Sequence, residues 1–158
     1  MQQWDPALKK LGSKSLYGAT IRRVRKNGGK VAGVVWYQGC SDANPNDAPL
    51  YTDRMKKLVA ALRRDIGPRD LPVALVQISR VVGWGDPAPW NSIQEQERRL
   101  PEFIRRCTTV PAIDLGLEDA IHISGKGQTT LGRRLADAML VLVQGSPAGK
   151  PPIVLKKM

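Results

Sequence analysis

Residues 31–44 read VAGVVWYQGCSDAN. An apolar, largely β-branched run from Val31 to Trp36 gives way within two residues to Gln38, Gly39, Cys40, Ser41 and Asp42. A run of this kind, with no polar alternation, reads as a strand buried on both faces, the habit of parallel sheets sandwiched by helices. Two further segments fit the same reading: LPVALVQIS at 71–79 and TTVPAIDLG at 108–116. They place three strands near residues 31–37, 72–78 and 110–114.

Helical patterns lie between and around them. Leu16, Ala19, Ile21 and Val24 give residues 15–26 a partial apolar face, ended by Asn27, Gly28 and Gly29. Tyr51, Met55, Leu58, Val59, Leu62 and Ile66 recur at helical spacing over 49–66, before Gly67 and Pro68. Asn91 reads as an N-cap with Gln94 three residues on, starting a helix at Ser92 that should kink or stop before Pro101. Ser124 reads as the cap of a last helix that turns Leu131, Leu135, Ala138, Met139 and Leu142 inward and runs to Gly145. The tail at 146–158 reads as loop, with a short edge strand at 153–155. The order α-β-α-β-α-β-α implies an α/β fold with a mostly parallel sheet covered on both faces.

The totals bound the rest. With 158 residues and 42% hydrophobic content, the chain should form one domain rather than stay disordered. It has no apolar run of the roughly 18 residues a membrane span needs. The opening MQQWDPALKK lacks the basic-then-apolar pattern of a signal peptide, and the compartment is left unassigned. Cys40 and Cys107 form neither a zinc pattern nor a disulfide framework and read as free thiols. The net charge of +11 favours anionic partners. However, the basic residues are spread along the chain, so a solvated basic surface competes with a nucleic-acid-binding module.

Working residues of parallel sheets collect beyond the carboxyl ends of the strands. QGCSD at 38–42 leaves the first strand there, and DLGLEDAIH at 114–122 leaves the third, so the two can meet. The single histidine, His122, follows Asp119 by three residues. That spacing lets the carboxylate fold back onto an imidazole N–H, fixing the tautomer and stabilising the charged ring, as the acid of a hydrolytic triad does. A structural or merely exposed histidine is the alternative. The Gln38 amide can donate to a developing oxyanion, and Gly39 admits close backbone approach; a tight strand exit explains the same residues. Cys40 is either a nucleophile served by His122 or a small apolar filler. NGGK and SGKGQTT fit neither phosphate-loop spacing, although SGKGQTT at a helix start could hold an anion. One histidine among scattered carboxylates makes no metal set, and no cofactor is expected.

Taken together, these segments resemble the sialate O-acetylesterase and acetylxylan-esterase-like branch of the SGNH hydrolases. VAGVVWYQGCSDAN is similar to that family's strand leading into Trp-Tyr-Gln-Gly-Glu-Ser-Asp or Asn. LPVALVQIS is similar to its Leu-Pro-Phe-x-x-Val-Gln-Ile strand, and WNSIQEQERRLP to a Trp-x-x-Ile-Arg-x-x-Gln segment with Gln94 in place of Arg. DLGLEDAIHISGKGQTTLGRRLADAML resembles the block that holds the catalytic histidine. LYGATIRRVRKNGG and YTDRMKKLVAALRRD resemble the helices that flank the first strand. The likeness runs from Trp4 to about Leu142. It implies a three-layer α/β/α sandwich of flavodoxin-like type and metal-free hydrolysis of acetyl esters on carbohydrate. By matching position, His122 would be the general base, Asp119 its orienting acid, and Gln38 and Gly39 part of the oxyanion hole, with Cys40, Ser41 and Asp42 near the site.

The departures are as specific. The family's nucleophile is the serine of a Gly-Gln-Ser-Asn-type motif after an earlier strand, and these 158 residues contain no such motif. Cys40 stands where glutamate is usual. QQWDPA resembles a Trp-Asp-Pro stretch midway through the family's domain. Residues 1–145 are therefore expected to be the C-terminal part of one esterase domain, with N-terminal strand or strands missing, inactive alone and prone to self-association through uncovered apolar surface. The alternative is a non-catalytic remnant that binds carbohydrate or a partner in the same crevice.

Overall fold

The apolar run at 31–36 gives only its last three residues to the sheet. In the computed structural model, which describes residues 1–83 and 85–144, β1 is Val34–Trp36, β2 Val73–Gln77 and β3 Cys107–Pro111. The strands form one parallel sheet in the order β1-β2-β3. β1 is shorter than the expected 31–37 because a proline immediately precedes its neighbour. Val34 N–H donates to Pro72 O at 2.9 Å, but Pro72 has no N–H to return, so pairing starts at Val34↔Val73.

The third strand lies three residues before the expected 110–114. Its register runs from Val73↔Cys107 to Gln77↔Pro111. Pro111 ends the ladder on that side, and the chain turns as Leu115 N–H donates to Ala112 O at 3.1 Å. Ile113 therefore sits in a turn and is exposed, while Cys107, Thr108 and Thr109 are half-buried.

Among the described residues four α-helices pack on this sheet: α1 Leu16–Lys26, α2 Tyr51–Ile66, α3 Ala88–Phe103 and α4 Gly125–Gln144. Val73 and Leu75 of β2 share one core with Tyr17 and Ile21 of α1, Met55, Leu58 and Leu62 of α2, and Ile93 and Leu100 of α3. Val76, from the other face of β2, joins Val110, Leu131 and Ala138 under α4. The central strand is thus buried on both faces, as its unalternating sequence requires. Opposite α1–α3, however, the outer face of β1 lacks cover: Val35, paired with fully buried Ala74, is 56% exposed.

Local chemistry accounts for the helix ends. Ser15 Oγ accepts from Gly18 N–H at 3.0 Å at the start of α1, and Gly28 and Gly29 take positive φ angles of 89° and 71° beyond its end. Ser124 Oγ accepts from Gly127 N–H at 3.2 Å at the start of α4. α3 departs from expectation at both ends. It begins at Ala88, not Ser92, with Asp86 Oδ1 accepting the Ala88 N–H at 2.9 Å. Pro89 is tolerated in the first turn, where an N–H would have no helical partner. Asn91 is consequently inside the helix rather than its cap. Pro101 does not stop α3, which runs on to Phe103.

At the end of the sheet where the strands begin, two arginines tie elements together. Arg63 of α2 donates to Leu71 O at 2.9 and 3.1 Å and to Arg105 O at 2.6 Å. Arg106 donates to Asp70 at 2.8 Å and to Leu142 O of α4 at 2.7 Å. Before α1, residues 1–14 form two short 3-10 segments, and Trp4 meets Trp36 edge to face at 4.9 Å between ring centres. The tail and the strand expected at 153–155 lie outside the described residues.

Candidate active site

After β3 the chain makes a small antiparallel excursion. Leu117 bridges Ile123, Glu118 N–H donates to His122 O at 2.8 Å, and Ser124 N–H donates to Gly116 O at 2.8 Å. Its tip carries Asp119, Ala120, Ile121 and His122. The tip is anchored from both sides of the sheet, since Ile121 packs against the α1–α3 core while Ile123 belongs to the core under α4.

Within that tip Asp119 folds back. Its Oδ1 accepts the N–H groups of Ile121 and His122 at 2.8 and 2.7 Å, and its Oδ2 lies 2.8 Å from His122 Nδ1. The bond to His122, then those two amides, hold the Asp119 carboxyl down at about 2. An ionised carboxylate only accepts, so Nδ1 carries the proton and Nε2 keeps its lone pair. The ring is 68% exposed, and Nε2 has no partner among the described residues. This is a base in a set tautomer, open to solvent.

The 38–42 loop is built differently. Cys40–Asp42 form one 3-10 turn after Gly39. Asp42 is 1% exposed and gathers donors: Gln38 Nε2 at 2.6 Å, the Met1 ammonium at 2.7 and 2.8 Å, and Arg54 at 3.3 Å. One N–H of the Gln38 amide is therefore spent on Asp42. Gln38 Oε1 is buried without a hydrogen-bond partner among the described residues. The Gly39 N–H donates to no backbone carbonyl among the described residues. Ser41 is exposed. Burial, with Glu97 nearby, pushes the Cys40 thiol up to about 11, so it is a neutral thiol at physiological pH. That favours the filler reading of Cys40 over the nucleophile.

Both segments leave the carboxyl end of the sheet, separated in strand order by β2. The β2 exit touches each: Ile78 N–H donates to Glu97 Oε2 at 2.8 Å beneath Gly39, and Val82 N–H donates to Ala120 O at 3.0 Å. No hydrogen bond joins His122 or Asp119 to residues 38–42 among the described residues. The structure brings Asp119 to His122 and Gln38 to Asp42, but bonds neither pair to the other among the described residues. Among the described residues, no three His, Cys, Asp or Glu side chains cluster as metal ligands would, and no helix is long and apolar enough to cross a membrane.

Sequence reasoning placed Tyr51 on the apolar face of its helix but missed Glu97 and the role of the Tyr51 hydroxyl, which lie under the loop. The signal was available: Trp90, Ile93, Glu97 and Leu100 share the buried stripe of α3, so an acid occupies a core position. Gln94, expected in a capping box, instead donates to Ile78 O and Ser79 O at 3.0 Å and holds the β2 exit.

Comparison with known proteins adds an independent line. Residues 1–141 match the family described as carbohydrate esterase, sialic acid-specific acetylesterase. A probable carbohydrate esterase of Arabidopsis thaliana, At4g34215, is 33% identical over 130 residues, covering 79% of this chain and 47% of the plant protein. The X-ray structure of the Arabidopsis protein superposes with a TM-score of 0.71 at 32% identity, over 81% of this chain and 53% of that one. The crystal structure of XAC1771, a carbohydrate acetylesterase from Xanthomonas citri, superposes with a TM-score of 0.65 at 27% identity, over 74% of this chain and 27% of that one. The chain thus spans about half the length of the Arabidopsis relative and less of the Xanthomonas one.

Proposed function

This chain belongs to the carbohydrate esterase family of sialic acid-specific acetylesterases, and from that premise we propose that its Asp119–His122 pair is the base half of a serine-type site for acetylated carbohydrate. The observation that carries the reading is the doubly anchored carboxylate at 2.8 Å from Nδ1, which leaves Nε2 free and facing solvent.

In such a site His122 Nε2 takes the proton of a serine hydroxyl as that oxygen attacks the acetyl carbonyl. It then returns a proton to the departing sugar hydroxyl, while Asp119 stabilises the imidazolium between the two steps. The free Gly39 N–H and the second N–H of the Gln38 amide are the donors for the oxyanion. Asp42 serves by holding the Gln38 amide still. In this reading residues 1–145 are the C-terminal part of a single esterase domain, and the attacking serine is not among these 158 residues. Neither exposed Ser41 nor the neutral Cys40 thiol replaces it.

The test is a longer form of the protein, extended with the sequence encoded upstream of Met1. If that sequence carries a Gly-Gln-Ser-Asn-type segment, the extended protein should release acetate from acetylated sugars, and His122→Ala should lower kcat by at least about a thousandfold. An extended protein that is equally active with His122→Ala refutes the assignment of the base.

A further inference from the structure

α3 places an acid where its apolar stripe calls for a hydrocarbon. Glu97 is fully buried, and its neighbours in the stripe are Ile93 and Leu100. Its carboxyl oxygens have two partners. Ile78 N–H donates to Oε2 at 2.8 Å, and Tyr51 Oη lies 3.1 Å from Oε1. The same Tyr51 Oη lies 2.6 Å from the carbonyl oxygen of Gln38.

Counting protons decides the charge state. A phenol has one proton, and a backbone carbonyl can only accept. The shorter contact takes the proton, so Tyr51 donates to Gln38 O. Glu97 Oε1 then either presents a charged lone pair to the phenol's lone pair or brings its own proton and donates to Tyr51 Oη. No cation hydrogen-bonds to this carboxyl among the described residues, and a bare charge in a dry core is heavily penalised. Glu97 is therefore a carboxylic acid. Burial is also the largest influence on it and raises it well above the usual carboxylate range, against the smaller pull of Ile78 and Tyr51. The titratable groups that face it are Tyr51 of α2 and Tyr37 and Cys40 at the β1 exit, none of them basic.

The relay ends on one peptide unit. With its C=O tied inward to Tyr51 and every described peptide bond trans, the Gln38–Gly39 unit turns its N–H away from the core. A Cβ on Gly39 would lie 2.6 Å from Glu97 Oε1, so glycine lets the unit rest directly on the acid. Hydrogen bonds in series also polarise one another, making the amide at the end a better donor.

We propose that Glu97 is a positioning residue: as a neutral acid it acts through Tyr51 to fix the Gln38–Gly39 peptide with the Gly39 N–H presented as an oxyanion donor. The catalytic part of this statement rests on the esterase reading above. Ionisation of Glu97 would claim the Tyr51 proton and release the Gln38 carbonyl.

The test is nuclear magnetic resonance on the labelled chain, which needs no turnover. The Glu97 carboxyl carbon and the Gly39 amide should both stay flat from about pH 4 to about pH 7, where an ordinary glutamate has already titrated. Glu97→Gln keeps a donor for Tyr51 and an acceptor for Ile78, and should leave the Gly39 amide in place. Tyr51→Phe and Glu97→Leu should shift it clearly further than Glu97→Gln does. Should Glu97→Leu fail to fold, the wild-type titration and Tyr51→Phe still decide. A Glu97 carbon that titrates near the ordinary value, or a Gly39 amide displaced as far by Gln as by Leu, overturns the proposal. If the spectra behave as expected but the extended protein hydrolyses no acetyl ester, the esterase reading falls and the positioning of this peptide stands.

Discussion

Thr109 on β3 donates its hydroxyl to the main-chain carbonyl of Glu97 on α3, at 2.7 Å. That carbonyl is the one Pro101 leaves without a helical donor, because a residue with an N–H at position 101 would bond four residues back. A proline that should break the helix is accommodated because a neighbouring strand fills the vacancy.

A double-mutant cycle checks this substitution of partners. Thr109→Val should cost about 1–2 kcal/mol in urea unfolding. In a Pro101→Ala background, where the alanine supplies the N–H itself, the same change should cost less than about 0.5 kcal/mol. Equal costs in both backgrounds would show that the hydroxyl is not standing in for the lost helical bond.

Two acids, half-buried Asp65 and fully buried Glu97, should tilt stability in opposite directions with pH. Burial raises the Asp65 carboxyl, but Tyr17 at 2.6 Å, Lys9 and Arg64 outweigh it and hold it at about 2. A depressed acid stabilises the fold above its unfolded value of about 3.9, and that contribution is lost as pH falls toward about 2. Glu97 is raised, so its folded state is favoured below about 4.3 and loses about 1.4 kcal/mol per pH unit as the unfolded chain ionises above that. Stability measured by denaturant titration should rise from about pH 2 to 4 and fall from about pH 4.5 upward. Asp65→Asn should flatten the first limb. Glu97→Gln should flatten the second and be more stable than wild type at pH 7. A Glu97→Gln variant less stable than wild type at pH 7 contradicts this account.

The chain by itself should hydrolyse p-nitrophenyl acetate no faster than its His122→Ala variant, since a base and oxyanion donors without a nucleophile give little. Cys40→Ala should change nothing, because a thiol held at about 11 is protonated at assay pH. A wild-type rate clearly above His122→Ala, and abolished by Cys40→Ala, would instead make Cys40 and His122 a working pair.

Uncovered apolar surface should drive association. β1 is a sheet edge whose outer face shows Val35 to solvent, and Leu140 and Val143 of α4 are also exposed. Such surfaces recruit other chains. Sedimentation should show self-association that Val35→Lys weakens at least about tenfold. A wild-type chain that is a sharp monomer and unfolds cooperatively would count against an incomplete fold.

The elements that were legible in the sequence are those whose order depends on local pattern. β2 and α2 carry unbroken apolar spacing, and α1 and α4 have serine caps. β3 slipped because Cys107, Thr108 and Thr109 are half-buried polar residues, while the more apolar Ile113 falls in a turn. α3 was misjudged at each end for a reason outside its own sequence window. Its early start depends on Asp86, and its survival past Pro101 depends on Thr109 from another element. The same division holds at the candidate site. The Asp119–His122 bond spans three residues and follows from spacing. The direction of the Gln38 amide depends on Asp42 being buried with Arg54 and Met1, which no local pattern encodes. Glu97 was visible only as an acid in the wrong stripe.

The two arginine ties at the strand starts have a mechanical consequence. Arg63 and Arg106 rivet α2, α4 and the entrances of β2 and β3 at one end of the sheet. At the opposite end the two exits that matter, 38–42 and 119–122, share no hydrogen bond among the described residues and meet through the turns after β2 and the core beneath them. A sheet pinned in this way should be stiffest at the pinned end. The amides of Val73 and Ala74 should be among the last to exchange. The separation of His122 from the Gly39 amide should therefore vary more than the geometry within residues 119–122 or within residues 38–42.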